Sequence, residues 1–165
     1  MGLDIPAPMK MRIEHWREQA LPSFKKPVSP ANYHITLAFL GNIGESELEH
    51  IDTQFEGIRH DTCSIALNSL GFWPKPKILF LGTTEAHDAL ACLAKKVSSL
   101  CHQINIAVEQ RSYVPHVTLV RGIKNNPPCA LFEPDFKIEF DQIHLFESVS
   151  TQKGVKYPIR RTWAL

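Results

Sequence analysis

The spacing of apolar and polar positions changes along the chain between the three-to-four-residue period of helices and the two-residue period of strands. The first part predicts a strand over Gly2–Ile5, a helix from Pro6 to about Leu21, a strand over Tyr33–Leu40 and a helix over Glu45–His60. A segment with three prolines separates the first helix from the second strand and predicts a loop. This part of the chain therefore alternates strand and helix.

The remainder of the chain predicts mostly strands around one long helix. The expected elements are strands over Thr62–Phe72 and Lys77–Gly82, a helix from Thr83 or Thr84 to about Gln103, strands over Ile104–Val108 and His116–Val120, and a final pair over Phe136–Ser148 and Val155–Trp163 that turns at Lys153-Gly154. Short turns between consecutive strands favour antiparallel pairing. The predicted fold class is therefore α+β rather than a doubly wound parallel sheet.

One short pattern occurs twice. Tyr33-His34-Ile35-Thr36-Leu37 is echoed by Pro115-His116-Val117-Thr118-Leu119, and both copies contain His-x-Thr-Leu with a β-branched residue at x. The copies lie 82 residues apart in a chain of 165. Such an echo predicts a duplicated unit whose copies face one another across a pseudo-two-fold axis. The two motif strands would then meet at a shared cleft.

The two-residue period of a strand explains the order of residues within the motif. His34 and Thr36 share one face, while Ile35 and Leu37 share the other and are expected to face the core. The second copy has the same arrangement. Two such strands deliver two imidazoles and two hydroxyls to one small volume.

This set of groups is suited to attack at phosphorus. Near neutral pH one imidazole can act as a general base and the other as a general acid, while the hydroxyls donate to anionic oxygens. A single His-x-Thr is usually structural or merely exposed, but a matched second copy in another apolar strand favours chemistry. Neither motif contains a carboxylate, so we expect no metal site, and catalysis should survive a chelator. The residues alone do not say which histidine is the acid.

Composition and charge limit the class of protein. Hydrophobic residues make up 44% and charged residues 21%, which is typical of a globular chain, and the length fits one domain over residues 1–165. The net charge of +1 argues against a protein that coats nucleic acid. No apolar run approaches the length of a membrane span, and the first residues do not resemble a secretory signal. We therefore expect a cytoplasmic, monomeric protein with no membrane partner.

The paired motifs make the chain resemble the 2H phosphoesterase superfamily, and within it the bacterial RNA 2′,3′-cyclic phosphodiesterases, also called 2′-5′ RNA ligases. The matching segments are Tyr33–Gly41, Arg111–Arg121, Gly71–Trp73, Leu79–Gly82, Ile143–Ser148 and Tyr157–Leu165. The resemblance implies a bilobal fold in which two antiparallel sheets face a central cleft and helices pack outside. It also implies cofactor-free hydrolysis of RNA 2′,3′-cyclic phosphate ends to 2′-phosphomonoesters.

The resemblance assigns a role to each motif residue. His34 would donate a proton to the leaving 3′-oxygen, and His116 would take a proton from the attacking water. Thr36 and Thr118 would hold the phosphate. The reverse reaction would join a cyclic end to a 5′-hydroxyl through a 2′-5′ linkage.

Four further residues are candidates for substrate binding. Arg121 follows the second motif and can pair with phosphate, although strand parity places it on the core face unless the strand ends or bulges. Phe39 has the same parity, so core packing is its first interpretation and stacking on a base its second. Tyr113 and Trp73 either stack a base or pack the two lobes together.

Other polar residues have simpler interpretations. Arg111, Lys75 and Lys77 can attract an RNA backbone, but each alone is typical of a solvated surface. His144 lies in a predicted strand without a following threonine, and we interpret it as structural. Three hypotheses stay open at this point. In the first, the chain is an enzyme that acts on RNA ends; in the second, its substrate is a 2′-5′ oligonucleotide or a small cyclic nucleotide. In the third, the chain is an RNA-end binding module with little turnover.

Overall fold

A computed structural model describes residues 1–109, 112–124, 127, 129–152 and 154–165. The predicted α+β class is confirmed. The helices are α1 (Ala7–Ala20), α2 (Glu45–Phe55) and α3 (Asp88–Gln103), with a short 3-10 turn at Pro30–Asn32. The strands are β1 (Gly2–Asp4), β2 (His34–Thr36), β3 (Cys63–Leu67), β4 (Ser69–Trp73), β5 (Ile78–Gly82), β6 (Val117–Arg121), β7 (Phe136–Phe140), β8 (Gln142–Phe146), β9 (Val149–Thr151), β10 (Gly154–Lys156) and β11 (Ile159–Ala164).

The two motif strands belong to different sheets. The four-stranded sheet has the order β11-β8-β1-β2, and the three-stranded sheet has the order β4-β5-β6. Two further ladders join β3 to β7 and β9 to β10. Each of these described pairings is antiparallel, as predicted. Strands β2 and β6 end their respective sheets and contact each other, which brings the two motifs together.

The long strand predicted over Phe136–Ser148 is divided at Asp141. Its first half, β7, pairs with β3, while its second half, β8, lies between β1 and β11. The alternation of buried and exposed residues along β7 breaks at this point, and the Asp141 carbonyl accepts a hydrogen bond from the Leu165 amide, in register with the β8–β11 ladder. The chain thus passes from one sheet to another within a few residues. The predicted turn residue Lys153 lies outside the described residues.

Strand β2 is also shorter than predicted. It ends at Thr36, because the amides of Leu37 and Ala38 both donate to the Met1 carbonyl and leave the regular ladder. Side chains after Thr36 therefore need not alternate between the two faces of a sheet, and this changes the placement of Phe39.

Two helix boundaries and one strand differ from the prediction because local hydrogen bonds compete with regular structure. Helix α3 begins at Asp88, since the Thr83 hydroxyl accepts from the Glu85 amide in a turn ahead of the helix. The strand predicted over Ile104–Val108 is absent: the amides of Ile104 and Ile106 both donate to Cys101 and finish the helix. Helix α2 ends at Phe55, before the predicted His60.

The starts of the first two helices follow from their sequences. Helix α1 begins just after Pro6 and carries Pro8 in its first turn, where the missing amide hydrogen costs nothing. Helix α2 begins after Gly44, whose amide donates to the Glu47 carboxylate at 2.6 Å. Acidic residues in this first turn also favour the positive end of the helix dipole.

The core is continuous through the sheets and the inner faces of the helices. It includes Ile35 of the first motif and Val117 and Leu119 of the second, all fully buried. The motif strands are therefore held from behind by the core. Within the described part of the chain, no helix combines the length and the apolar character needed to cross a membrane.

Candidate active site

The four motif residues lie on the polar sides of their strands. Residues Ile35, Val117 and Leu119 are buried, whereas the histidine and threonine that flank them in each motif are half-buried. This alternation is the one that the two-residue strand period predicts. It turns the side chains of His34, Thr36, His116 and Thr118 away from the core.

Two adjoining cavities open beside these residues. The larger has a volume of about 990 Å³ and is lined by His116, and the smaller has a volume of about 660 Å³ and is lined by His34. Thr36, Ala38 and Phe39 line both cavities, so the end of the first motif forms their common wall. Thr118 lies on β6, opposite Phe80 of β5, and is not among the residues that line either cavity.

The ring of His34 is fixed by a backbone carbonyl and two aromatic side chains. Its Nδ1 lies 2.7 Å from the Asn32 carbonyl oxygen. The rings of Phe146 and Tyr157 are each centred 5.0 Å from the imidazole. Burial lowers the pKa of His34; the hydrogen bond to Asn32 acts in the opposite direction, and the N-terminal ammonium of Met1 lowers the pKa further.

The ring of His116 is held in the same manner. Its Nδ1 lies 2.8 Å from the Val114 carbonyl oxygen, and the rings of Trp73 and Phe80 are centred 4.6 and 5.6 Å away. A carbonyl can only accept, so Nδ1 carries the hydrogen in each neutral ring and Nε2 has the lone pair. In both histidines Nε2 is therefore the atom that exchanges a proton.

A register shift in the three-stranded sheet decides where Arg121 points. Phe80 pairs with Thr118 and Ile78 with Arg121, so one extra residue of β6 is accommodated between these pairs. Phe80 and Ile78 are two residues apart and share a face, and their partners share it with them. The bulge thus returns the exposed Arg121 to the face that carries Thr118, and the core-face placement expected from uninterrupted parity is wrong.

Phe39 is not a core residue. Its side chain is 53% exposed and lines both cavities, because β2 ends three residues earlier and releases the chain from strand parity. The core interpretation is therefore wrong. The exposed ring lies in the common wall, where a base can stack on it.

The other two aromatic candidates line the larger cavity. Trp73 packs edge-on against His116 and also contacts Phe80 at 4.1 Å between ring centres. Tyr113 is mostly buried; its hydroxyl finds no hydrogen-bond partner among the described residues, and burial raises the pKa of that hydroxyl. Trp73 therefore lines the cavity and also packs against His116. The burial of Tyr113 agrees with the interpretation that its ring packs between the lobes.

The sequence analysis did not identify the aromatic rings that hold the histidines. Phe146 and Tyr157 lie more than a hundred residues from His34, and no local spacing links them to it. In the sequence pattern, Phe80 is an ordinary apolar residue of a predicted strand. The one available signal was their presence in the segments that resemble the family.

The remaining polar candidates lie elsewhere. Lys75 and Lys77 are exposed in the turn between β4 and β5, outside the lining of either cavity, and Arg111 is outside the described residues. His144 is 8% exposed with its Nδ1 2.9 Å from the Thr162 hydroxyl, as a structural role requires. Among the described residues, no group of three or more His, Cys, Asp or Glu side chains is placed to hold a metal ion.

Comparison with known proteins agrees with this geometry. The family described as LigT like Phosphoesterase matches residues 3–80. An RNA 2′,3′-cyclic phosphodiesterase of Bacillus subtilis is 31% identical over 96% of this chain and 94% of its own length. The enzyme of the same name from Escherichia coli is 27% identical over 99% of this chain and 94% of its own.

Solved structures show the same fold. The crystal structure of Escherichia coli LigT complexed with 3′-AMP superimposes with a TM-score of 0.86 at 26% identity, covering 99% of this chain and 95% of that one. A structure described as a phosphoesterase gives a TM-score of 0.90 at 25% identity, with coverage of 99% and 95%. On its sequence, its fold and its paired motifs, the chain is a phosphoesterase of the LigT-like 2H family.

Proposed function

We propose that this chain hydrolyses RNA 2′,3′-cyclic phosphate ends to 2′-phosphomonoesters, with His34 and His116 as the proton-transfer pair. The observation that carries the proposal is the matched anchoring of the two imidazoles, which leaves Nε2 of each as the working atom beside joined cavities. Relatives that align along nearly the whole chain bear the name RNA 2′,3′-cyclic phosphodiesterase.

The proposed reaction is an in-line displacement at phosphorus. Nε2 of His116 takes a proton from water while the water oxygen bonds to phosphorus. The bond to the 3′-oxygen breaks, and protonated His34 supplies the proton that this oxygen needs. The 2′-oxygen stays bonded to phosphorus, so the product is a 2′-phosphomonoester. The hydroxyls of Thr36 and Thr118 donate to the non-bridging oxygens, where charge develops.

In this proposal, residues around His34 and His116 contact the substrate. Arg121, on the face of Thr118, pairs with the phosphate, since a guanidinium binds two phosphate oxygens at once. Phe39 and Trp73 offer ring faces to the terminal base. Tyr113 lines the same cavity, with its hydroxyl buried. We infer that residues 1–165 form one bilobal catalytic domain, because the hydrophobic core is continuous.

An alternative keeps the mechanism and changes the substrate to a 2′-5′ oligonucleotide or a small cyclic nucleotide. The size of the larger cavity favours a polynucleotide end. A binding module with little turnover does not need two imidazoles anchored in the same way, so we place it last. The same steps with the 5′-hydroxyl of a second RNA in place of water would break the bond to the 3′-oxygen and join the cyclic end to that hydroxyl through a 2′-5′ linkage.

The test is hydrolysis of an oligonucleotide that ends in a 2′,3′-cyclic phosphate, in excess EDTA, with phosphorus NMR of the product. We expect a 2′-monophosphate from the wild type and none from His34→Ala or His116→Ala. A 3′-monophosphate would overturn the regiochemistry. Tight binding of the cyclic end without turnover would support the binding module instead. Addition of a 5′-hydroxyl oligonucleotide to the same assay tests ligation.

A further inference from the structure

One face of helix α3 forms a wall of the larger cavity. The helix buries Leu90, Leu93, Val97 and Cys101 in the core. The adjacent stripe, which recurs at the same three- and four-residue spacing, lines the cavity instead: Ala91, Lys95, Ser98 and His102, with Ser99 beside them. This stripe carries an ammonium group, two hydroxyls and an imidazole, and the chemistry of the two motifs uses none of them.

The stripe is longer than one nucleotide needs. From Ala91 to His102 the helix rises about 16 Å, at about 1.5 Å per residue. The stripe and His116 line the same cavity, so the space beside the stripe is continuous with the space where the cyclic phosphate is bound in the proposed function. A cyclic mononucleotide held at the histidines would leave most of this wall unused.

Three aromatic side chains also line this cavity. Phe39, Trp73 and Tyr113 line the cavity together with the stripe. Proteins bind single-stranded nucleic acid with surfaces of this kind. Cationic and hydroxyl side chains contact the phosphates, and the bases stack on the aromatic rings.

We propose that this α3 stripe binds the phosphodiester backbone of the nucleotides that precede the cyclic end. Lys95 pairs with a phosphate, and Ser98 and Ser99 donate to phosphate oxygens. The enzyme then prefers oligonucleotide ends to cyclic mononucleotides. This inference rests on the proposed function for the position of the reacting phosphate, and it adds the class of substrate.

The experiment compares kcat/KM for cytidine 2′,3′-cyclic phosphate and for a tetranucleotide with the same cyclic end, in Lys95→Gln and in Lys96→Gln. Lys96 is the matched control, since it is the neighbouring lysine of the same helix and donates to the Arg59 carbonyl instead of lining the cavity. We expect Lys95→Gln to lower the tetranucleotide value about two- to fivefold and to leave the mononucleotide value unchanged. The dependence of log kcat/KM on log salt should lose about one unit of slope. Lys96→Gln should change neither value.

A second variant makes the test independent of the size of the lysine effect. Ser99→Glu places a carboxylate at an exposed position of the same wall and should lower the tetranucleotide value further than Lys95→Gln does. Equal tetranucleotide-to-mononucleotide ratios in the wild type and both variants would overturn the inference and leave the proposed function intact. Failure of the wild type to hydrolyse either substrate would overturn the proposed function. In that case tetranucleotide binding would test the α3 stripe, and an equal Kd for the wild type and Lys95→Gln would reject the role of the stripe.

Discussion

His34 and His116 are anchored identically although they lie in different sheets. The Nδ1 of each ring meets the backbone carbonyl two residues earlier in the chain, at 2.7 Å in the first motif and 2.8 Å in the second. Each ring is also packed by two aromatic rings. The internal repeat thus extends beyond the His-x-Thr pattern to the way in which each imidazole is oriented. Its consequence is that both rings have Nε2 as the proton-exchanging atom.

Replacement of either histidine should remove most of the catalysis. We expect His34→Ala and His116→Ala each to lower kcat about 10²- to 10⁴-fold, the usual contribution of one proton-transfer group. The measurement is steady-state hydrolysis of a cyclic-phosphate end, with circular dichroism to show that the variants fold. His50→Ala, an exposed histidine on α2, is the control and should retain full activity. Unchanged kcat in either motif variant would exclude that imidazole from proton transfer.

The threonines should contribute through their hydroxyls alone. Thr36→Val and Thr118→Val keep the shape of the side chain and remove the donor, so we expect each to lower kcat about tenfold or more with little change in stability. Single-turnover rates would separate this effect from product release. Thr53→Val changes an exposed threonine of α2 and serves as the control. Full activity in the double variant would remove threonine from the mechanism.

The parts of the site that follow from local pattern could be predicted from the sequence. Alternation within a strand determines which of His34, Ile35 and Thr36 turn toward the core, and the same rule applies in the second motif. Short turns between strands likewise predicted antiparallel pairing. These features depend on neighbours in the chain, so the sequence carries them directly.

The parts that depend on distant partners could not be predicted. The division of the last long strand at Asp141 depends on which strands compete to pair with it, and β3 and β1 lie in different sheets. The placement of Arg121 depends on a register shift against β5, and that of Phe39 on the early end of β2. Each of these is a tertiary event that overrides a correct local rule.

The pH dependence should differ between the free enzyme and its substrate complex. Burial lowers the pKa of His34 in the free protein. If His34 is the acid, its protonated fraction falls as the pH rises through this pKa; where this pKa is higher than that of the base, it sets the falling limb of kcat/KM, which then lies below the ordinary histidine value of about 6.5. A bound phosphate anion favours the imidazolium and raises the pKa, so the limb of kcat should lie at higher pH. The measurement is the pH profile of kcat/KM and of kcat from about pH 4.5 to about pH 8.5, which covers two units on either side of the ordinary histidine pKa. A kcat/KM limb at or above the kcat limb would contradict it.

A glycine behind His116 should be essential to the position of that ring. A methyl group at Gly71 would overlap the ring of Phe80, which packs against both Trp73 and His116. Gly71→Ala must therefore displace Phe80, and we expect a loss of about 1–3 kcal/mol in the free energy of unfolding, as for other overpacked sites. Because the displaced ring supports the imidazole, kcat should also fall at temperatures where the variant is fully folded. Urea denaturation and hydrolysis assays on the same samples measure the two effects. Gly57→Ala is the matched control, since a methyl group there meets nothing within 4 Å. If Gly71→Ala loses stability but keeps the wild-type kcat, Phe80 does not position His116.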